Sequence, residues 1–166
     1  MTGLCKAQII TDLGLEPHDE GGYFRRTYTS SNTSSDSELA GSLQRPAMSS
    51  IYYLLTSDSP VGRLHRNRSD IMHYWHCGHP VNYWLLFEDG SLEQHTLGPD
   101  LAAGQRPQLL VRAGVWKATE LMGGEFGLLS EAVCPGFEYA DRELATSNYV
   151  KQSWSQLWPG LQRFCE

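Results

Sequence analysis

From Ser49 onward the chain alternates apolar and polar residues in short runs divided by turn residues. The runs are Ser49–Leu55, Val61–His65, Ile71–His76, Val81–Phe87, Ser91–Leu97, Gln108–Val111, Val115–Glu120 and Phe126–Ala132. Between them stand Asp58-Ser59-Pro60, Gly78-His79-Pro80, Glu88-Asp89-Gly90 and Gly123-Gly124. A period of two with this punctuation predicts strands. Asp89-Gly90 between two such runs is a strong hairpin signal. Short strands at this even spacing predict an all-β sandwich or barrel of two facing sheets.

The flanks read differently. Ile9, Ile10 and Leu13 share a face of a short helix over Lys6 to Leu13, and Gly14 suits its C-terminal cap. Gly21-Gly22 turns the chain into Tyr23–Thr29, whose aromatic and threonine residues suit a strand. Ser30 to Gly41 is polar and serine-rich, and is expected to be a mobile loop. Ser147 to Leu157 carries a weak helical pattern that Pro159 is expected to end.

The 166 residues suit one domain spanning 1–166, large enough to bury about 70% of its unfolded surface without staples. Thirteen Lys and Arg against 19 Asp and Glu leave a formal charge of −6, which argues against nucleic acid or an anionic membrane as partner. No stretch of about 20 apolar residues is present, and Lys6, Gln8, Thr11 and Asp12 break any secretory segment near the start. Cys5, Cys77, Cys134 and Cys165 lack the short spacing of a redox or zinc motif. They read as free thiols, and the protein is expected to be cytoplasmic.

Several ordered blocks carry a family resemblance. Glu16-Pro17-His18-Asp19-Glu20-Gly21-Gly22-Tyr23-Phe24-Arg25 resembles the "PHPEGGYFRE" opening of a small cupin-like family of unknown function. Ser50–Leu55, Leu64-His65-Arg66 with Ser69-Asp70, Ala113-Gly114-Val115-Trp116 and Cys134–Tyr139 match its later blocks in order. The resemblance runs from about Leu13 to Leu144. It implies a double-stranded β-helix, the cupin jelly-roll barrel, usually dimeric, and kin to sugar-nucleotide epimerases. Pairing through Tyr23–Thr29 would close such a homodimer by covering an open sheet edge.

Metal-binding cupins place two histidines one residue apart, then a glutamate, then a third histidine in a second motif. On that pattern the positions fall at Arg63, His65, Ile71 and Lys117, so only His65 is kept. One imidazole beside two cations cannot supply the three or more converging donors that a metal needs, and no metal or other cofactor is expected. His73 and His76 fall on opposite faces of their strand and cannot converge.

What remains is acid/base and binding chemistry. His65 is the candidate base, with Asp70 or Glu138 to orient it and Tyr74 or Tyr139 as proton donor. Arg63 and Lys117 would hold an anion or an enolate, Gln108 would add a polar contact, and Trp116 would offer a stacking face. A plainer reading makes His65 a hydrogen-bonded wall residue and Glu20 a turn device bracing Arg25. The expected partner is a small polar or anionic carbohydrate-like metabolite. Either the protein isomerises or epimerises it without metal, or it binds it and catalyses nothing.

Overall fold

The computed structural model describes residues 4–34 and 44–165. The short helix forms as predicted: α1 (Lys6–Leu13) ends at Gly14, whose φ of 59° is the left-handed conformation that stops a helix with little strain on glycine. Then come β1 (Glu16–Pro17), β2 (Tyr23–Thr29), β3 (Thr33–Ser34) and β4 (Arg45–Pro46). The barrel proper follows as β5 (Ser49–Thr56), β6 (Val61–Asn67), β7 (Asp70–Gly78) and β8 (Val81–Leu86). It continues with β9 (Leu92–Leu97), β10 (Gln108–Val111), β11 (Trp116–Leu121) and β12 (Phe126–Cys134). β13 (Arg142–Leu144), α2 (Ser147–Ser153) and α3 (Trp158–Leu161) follow, and a 3-10 turn over Gln162–Phe164 comes after α3.

Two antiparallel sheets face each other, with strand orders β1-β2-β5-β12-β7-β10 and β13-β6-β11-β8-β9. The jumps in these orders are those of a jelly roll, so the all-β barrel expected from the strand spacing is present. The predicted hairpin joins β8 to β9: Gly90 has φ 83°, and Asp89 Oδ1 accepts the Ser91 N–H at 2.8 Å.

Three expectations need adjusting. Part of the supposed Ser30–Gly41 loop is regular: Thr33–Ser34 pairs with Arg45–Pro46, while residues 35–41 lie outside the described segments. Pro159 does not end the tail helix. α2 stops at Ser153, and Pro159 sits in the first turn of α3, where its missing N–H costs nothing. Several strands also run one or two residues past their predicted ends. β6 reaches Asn67 because Arg142 and Glu143 of β13 pair with Asn67 and Arg66, far beyond any local pattern.

The alternation along the strands builds two kinds of core. Inside the barrel, Tyr53, Leu55, Tyr83, Leu97 and Leu129 pack between the sheets. On the outer face of the six-stranded sheet, α1 covers Leu54, Phe126 and Leu128. On the outer face of the other sheet, α2 and the C-terminal residues cover Leu64, Leu86, Trp116 and Ala118 with Val150, Leu161 and Phe164. Each large side chain so buried contributes about 1.5–3 kcal/mol.

A local irregularity then sets the site. β11 pairs with β6 so that Thr119 lies opposite Gly62 but Lys117 lies opposite His65. Between these pairs Ala118 alone lies opposite Arg63 and Leu64, a bulge of the kind that re-aims side chains.

Candidate functional site

A cleft with a cavity volume of about 40 Å³ opens into one end of the barrel between β2, β5, β6 and β12. Its polar wall is His18, Glu20, His65, Asn67 and Glu131; Phe24, Tyr53, Phe137 and Tyr139 supply aromatic faces, and Arg26 stands at the exposed rim.

His65 is buried, and its hydrogen bonds define its protonation. Nδ1 lies 2.7 Å from the Arg63 carbonyl, which can only accept, so Nδ1 carries a hydrogen. Nε2 lies 3.2 Å from Glu20 Oε2. A bare Nε2 would set two acceptors face to face, so the contact requires a proton between them. Burial pushes the imidazole below its usual range, Glu20 pulls it back up, and Lys117 adds to the lowering. The proton is therefore held by geometry and loosened by burial.

Glu20 is fixed from behind. Arg142 Nη1 donates to its Oε1 at 3.0 Å and to Asp19 Oδ1 at 2.7 Å, and Nη2 donates to Asp19 Oδ2 at 2.8 Å. The Glu20 carbonyl accepts the Arg63 N–H at 2.7 Å, tying the Gly21-Gly22 turn to β6. Glu20 does not brace Arg25, whose guanidinium reaches the Leu13 carbonyl instead.

Deeper in the barrel lies a second charged group. The Lys117 ammonium, 2% exposed, donates to His73 Nε2 at 3.1 Å and lies 3.6 Å from Glu131 Oε1. An ammonium has no lone pair to offer, so His73 Nε2 is the acceptor and Nδ1 keeps the hydrogen. Nδ1 faces Glu131 Oε1 at 3.2 Å and the Tyr83 hydroxyl at 3.0 Å. Burial and then Lys117 push His73 down to about 4. Burial alone would raise the Glu131 carboxyl; Lys117 and His73 overcome it and hold the group well below the usual carboxylate range. His73 and Glu131 are direct cross-strand partners, as are His65 and Lys117.

The other anticipated site residues are scattered by the alternation. Trp116 precedes Lys117 and so faces the opposite way: it is buried beneath the C-terminal helices, with the Arg66 guanidinium 4.7 Å from its ring. Tyr74 and Gln108 are cross-strand partners on exposed positions of the six-stranded sheet, outside the cleft. Asp70 binds Arg112 at 2.8 Å and the Ala113 N–H at 2.8 Å, bracing the turn before β11 rather than His65. Arg63 serves His65 through its backbone carbonyl. Glu138 is exposed between two cleft residues, Phe137 and Tyr139.

The positions at which metal-binding cupins carry their other ligands hold different residues here. Beside His65 they hold Arg63, an isoleucine that lines the cleft, and a lysine whose ammonium lies 3.1 Å from His73. Among the described residues, His18, Asp19 and Glu20 bring ligand atoms within 4.8 Å of one another. Arg142 already balances both carboxylates, and His18 Nδ1 accepts the Glu20 N–H at 3.1 Å. The four cysteines are free, and no helix among the described residues is long and apolar enough to cross a membrane.

Residues 7–145 match the family described as Cupin superfamily (DUF985). An uncharacterized protein of Saccharomyces cerevisiae is 37% identical over 148 residues, which cover 81% of this chain and 72% of that protein. A crystal structure of a protein from Shewanella oneidensis superposes with a TM-score of 0.90 at 32% identity, covering 99% of each chain. A hypothetical protein from Leishmania major gives 0.89 at 25% identity, covering 98% of this chain and 99% of its own. The match spans most of the barrel and both charged groups, and the chain belongs to the DUF985 family of the cupin superfamily.

Proposed function

We propose that the cleft binds a small, polar, ring-shaped carbohydrate-like metabolite and that His65 moves a proton on it, as in a metal-independent isomerase or epimerase. The observation that carries this reading is the 3.2 Å contact of His65 Nε2 with Glu20 Oε2 in the wall of an aromatic-lined cleft. In the step envisaged, the proton shared by His65 Nε2 and Glu20 first passes to solvent, and the freed Nε2 takes a proton from a carbon next to a carbonyl, leaving an enolate. A second group returns a proton to that carbon, and solvent restores both groups. Of the two tyrosines considered as donor, Tyr139 lines the cleft and Tyr74 does not.

A binding module without turnover is the second reading. It is favoured by Tyr53, which lines the cleft yet gives its hydroxyl hydrogen to the Gly21 carbonyl at 3.0 Å. That hydroxyl is further locked as a donor because burial pushes it above the usual phenol range.

Calorimetry against hexose monophosphates and nucleotide sugars, with NMR of the bound compounds in heavy water, separates the readings. The isomerase reading expects deuterium to enter the carbon beside the carbonyl. It also expects His65→Ala to abolish that exchange while weakening binding less than about tenfold. Binding without exchange leaves the module, and no binding by any probe removes both readings.

A further inference from the structure

Asn67 ends β6 two residues beyond His65 and lies in the wall of the same cleft. It is 7% exposed, and its Oδ1 has no hydrogen-bond partner. Its strand does not need that oxygen: the backbone carbonyl accepts the Gly114 N–H at 2.8 Å, and Arg142 pairs alongside. A buried acceptor left unpaired is a standing cost, and such atoms in native proteins call for an explanation. The terminal amide turns about a soft torsion, so a small swing brings the oxygen to a guest in the cleft.

The neighbouring groups say what that guest is. Glu20 and Glu131 stand in the same wall, both acceptors when ionised. The Lys117 ammonium behind Glu131 is taken up by His73 and Glu131. A phosphate or carboxylate pointing inward would meet two carboxylates and an amide oxygen. The rim carries the opposite sign: Arg26 is exposed there, with its guanidinium 5.7 Å from the Phe137 ring and Nη2 donating to the Phe137 carbonyl.

Resting on the reading of the cleft as a ligand site, we infer that Asn67 selects a ligand that enters hydroxyl end first. Its inner hydroxyls donate to Asn67 and the carboxylates, while an anionic group stays at the rim on Arg26. The class this describes is a monophosphorylated or carboxylated sugar held by its ring. Asn67 and Arg26 divide the recognition, one reading the ring and the other the anion.

The test is calorimetry with glucose, galactose and mannose and with their monophosphates, on the wild type, Asn67→Leu and Arg26→Gln, with melting curves of each. The wild type should bind a monophosphate at least tenfold more tightly than its parent sugar. Arg26→Gln should erase that preference and leave the parent sugar's affinity unchanged. Asn67→Leu should weaken both by tenfold or more, yet raise Tm by about 2–4 °C, because it removes an unpaired buried acceptor. An Asn67→Leu protein that melts lower than wild type, or binds as well, overturns the inference, as does a phosphate preference that survives Arg26→Gln. If no sugar binds the wild type, the reading of the cleft falls and the inference with it; if sugars bind and the variants are indifferent, the inference alone falls.

Discussion

At Lys117 the barrel encloses a cation among a carboxylate, an imidazole and a phenol, and the balance among them sets what each can do. Lys117→Met should let the His73 pKa climb back from about 4, because one of the three causes holding it down, after burial the largest, is removed. The His73 ring resonance in an NMR titration reads this directly. The same substitution leaves Glu131 buried with less compensation, and should cost about 3–5 kcal/mol by denaturant unfolding. In the wild type, the unfolded chain takes up a proton at this histidine below 6.5, while the folded chain resists until about 4. Stability therefore falls as the pH drops through that window, by roughly 3 kcal/mol. Glu131 adds a further loss below 4.5, where an unfolded glutamate protonates and the folded one does not. Urea midpoints between about pH 7 and pH 4 would measure the slope. His65 and Lys117 were legible as inward residues from the strand period and the motif spacing. Glu131 was not singled out, although a charge at the inward-facing step between Leu129 and Val133 is a visible anomaly in an apolar strand. Glu20 and His18 were harder to find, because only the folded chain brings their loop to β6.

The element that holds Glu20 is the turn after His18. Gly21 has φ 97°, and a Cβ built there would lie 2.1 Å from the Val61 carbonyl oxygen. That backbone cannot yield without moving β6. Gly21→Ala should therefore destabilise by roughly 3 kcal/mol and disturb the His65–Glu20 contact, seen as a shift in the His65 titration. Arg142 supports the same turn from β13; Arg142→Ala should cost roughly 2–3 kcal/mol, less than a fully buried pair would, because Asp19 is half exposed. Elements with strong local signals were legible in the sequence. The period-two runs, Asp89-Gly90 and the Gly14 cap predicted strands, hairpin and helix because near neighbours alone enforce them. The bulge between β6 and β11 had no local signal, since it arises from pairing across some fifty residues. It decides that Lys117 lies opposite His65, while the alternation along β11 turns Trp116 toward the C-terminal helices, so the expected stacking surface became core.

For the molecule as a whole, the sheet edges remain to be covered. β2 pairs with β5 along its length, but β1 covers only Tyr23 and Phe24 on its other side, so among the described residues Arg25–Thr29 form an open edge. Exposed edges invite a partner strand, and we expect two copies to join there. Light scattering should give about 37 kDa, twice the 18.6 kDa chain, and Thr27→Pro should shift it toward the single-chain value by spoiling the edge.

The layer formed by α2, α3 and the residues after them has a consequence for how the protein is made. Leu64, Trp116 and Ala118 emerge from the ribosome well before Val150, Leu161 and Phe164, which cover them. Until those segments arrive, one outer face of the barrel presents an oily surface to its surroundings. Synthesis thus creates an interval in which the nascent domain is adhesive. A ribosome stalled before those segments are made would display a barrel face that a chaperone can grip and that the folded domain no longer offers.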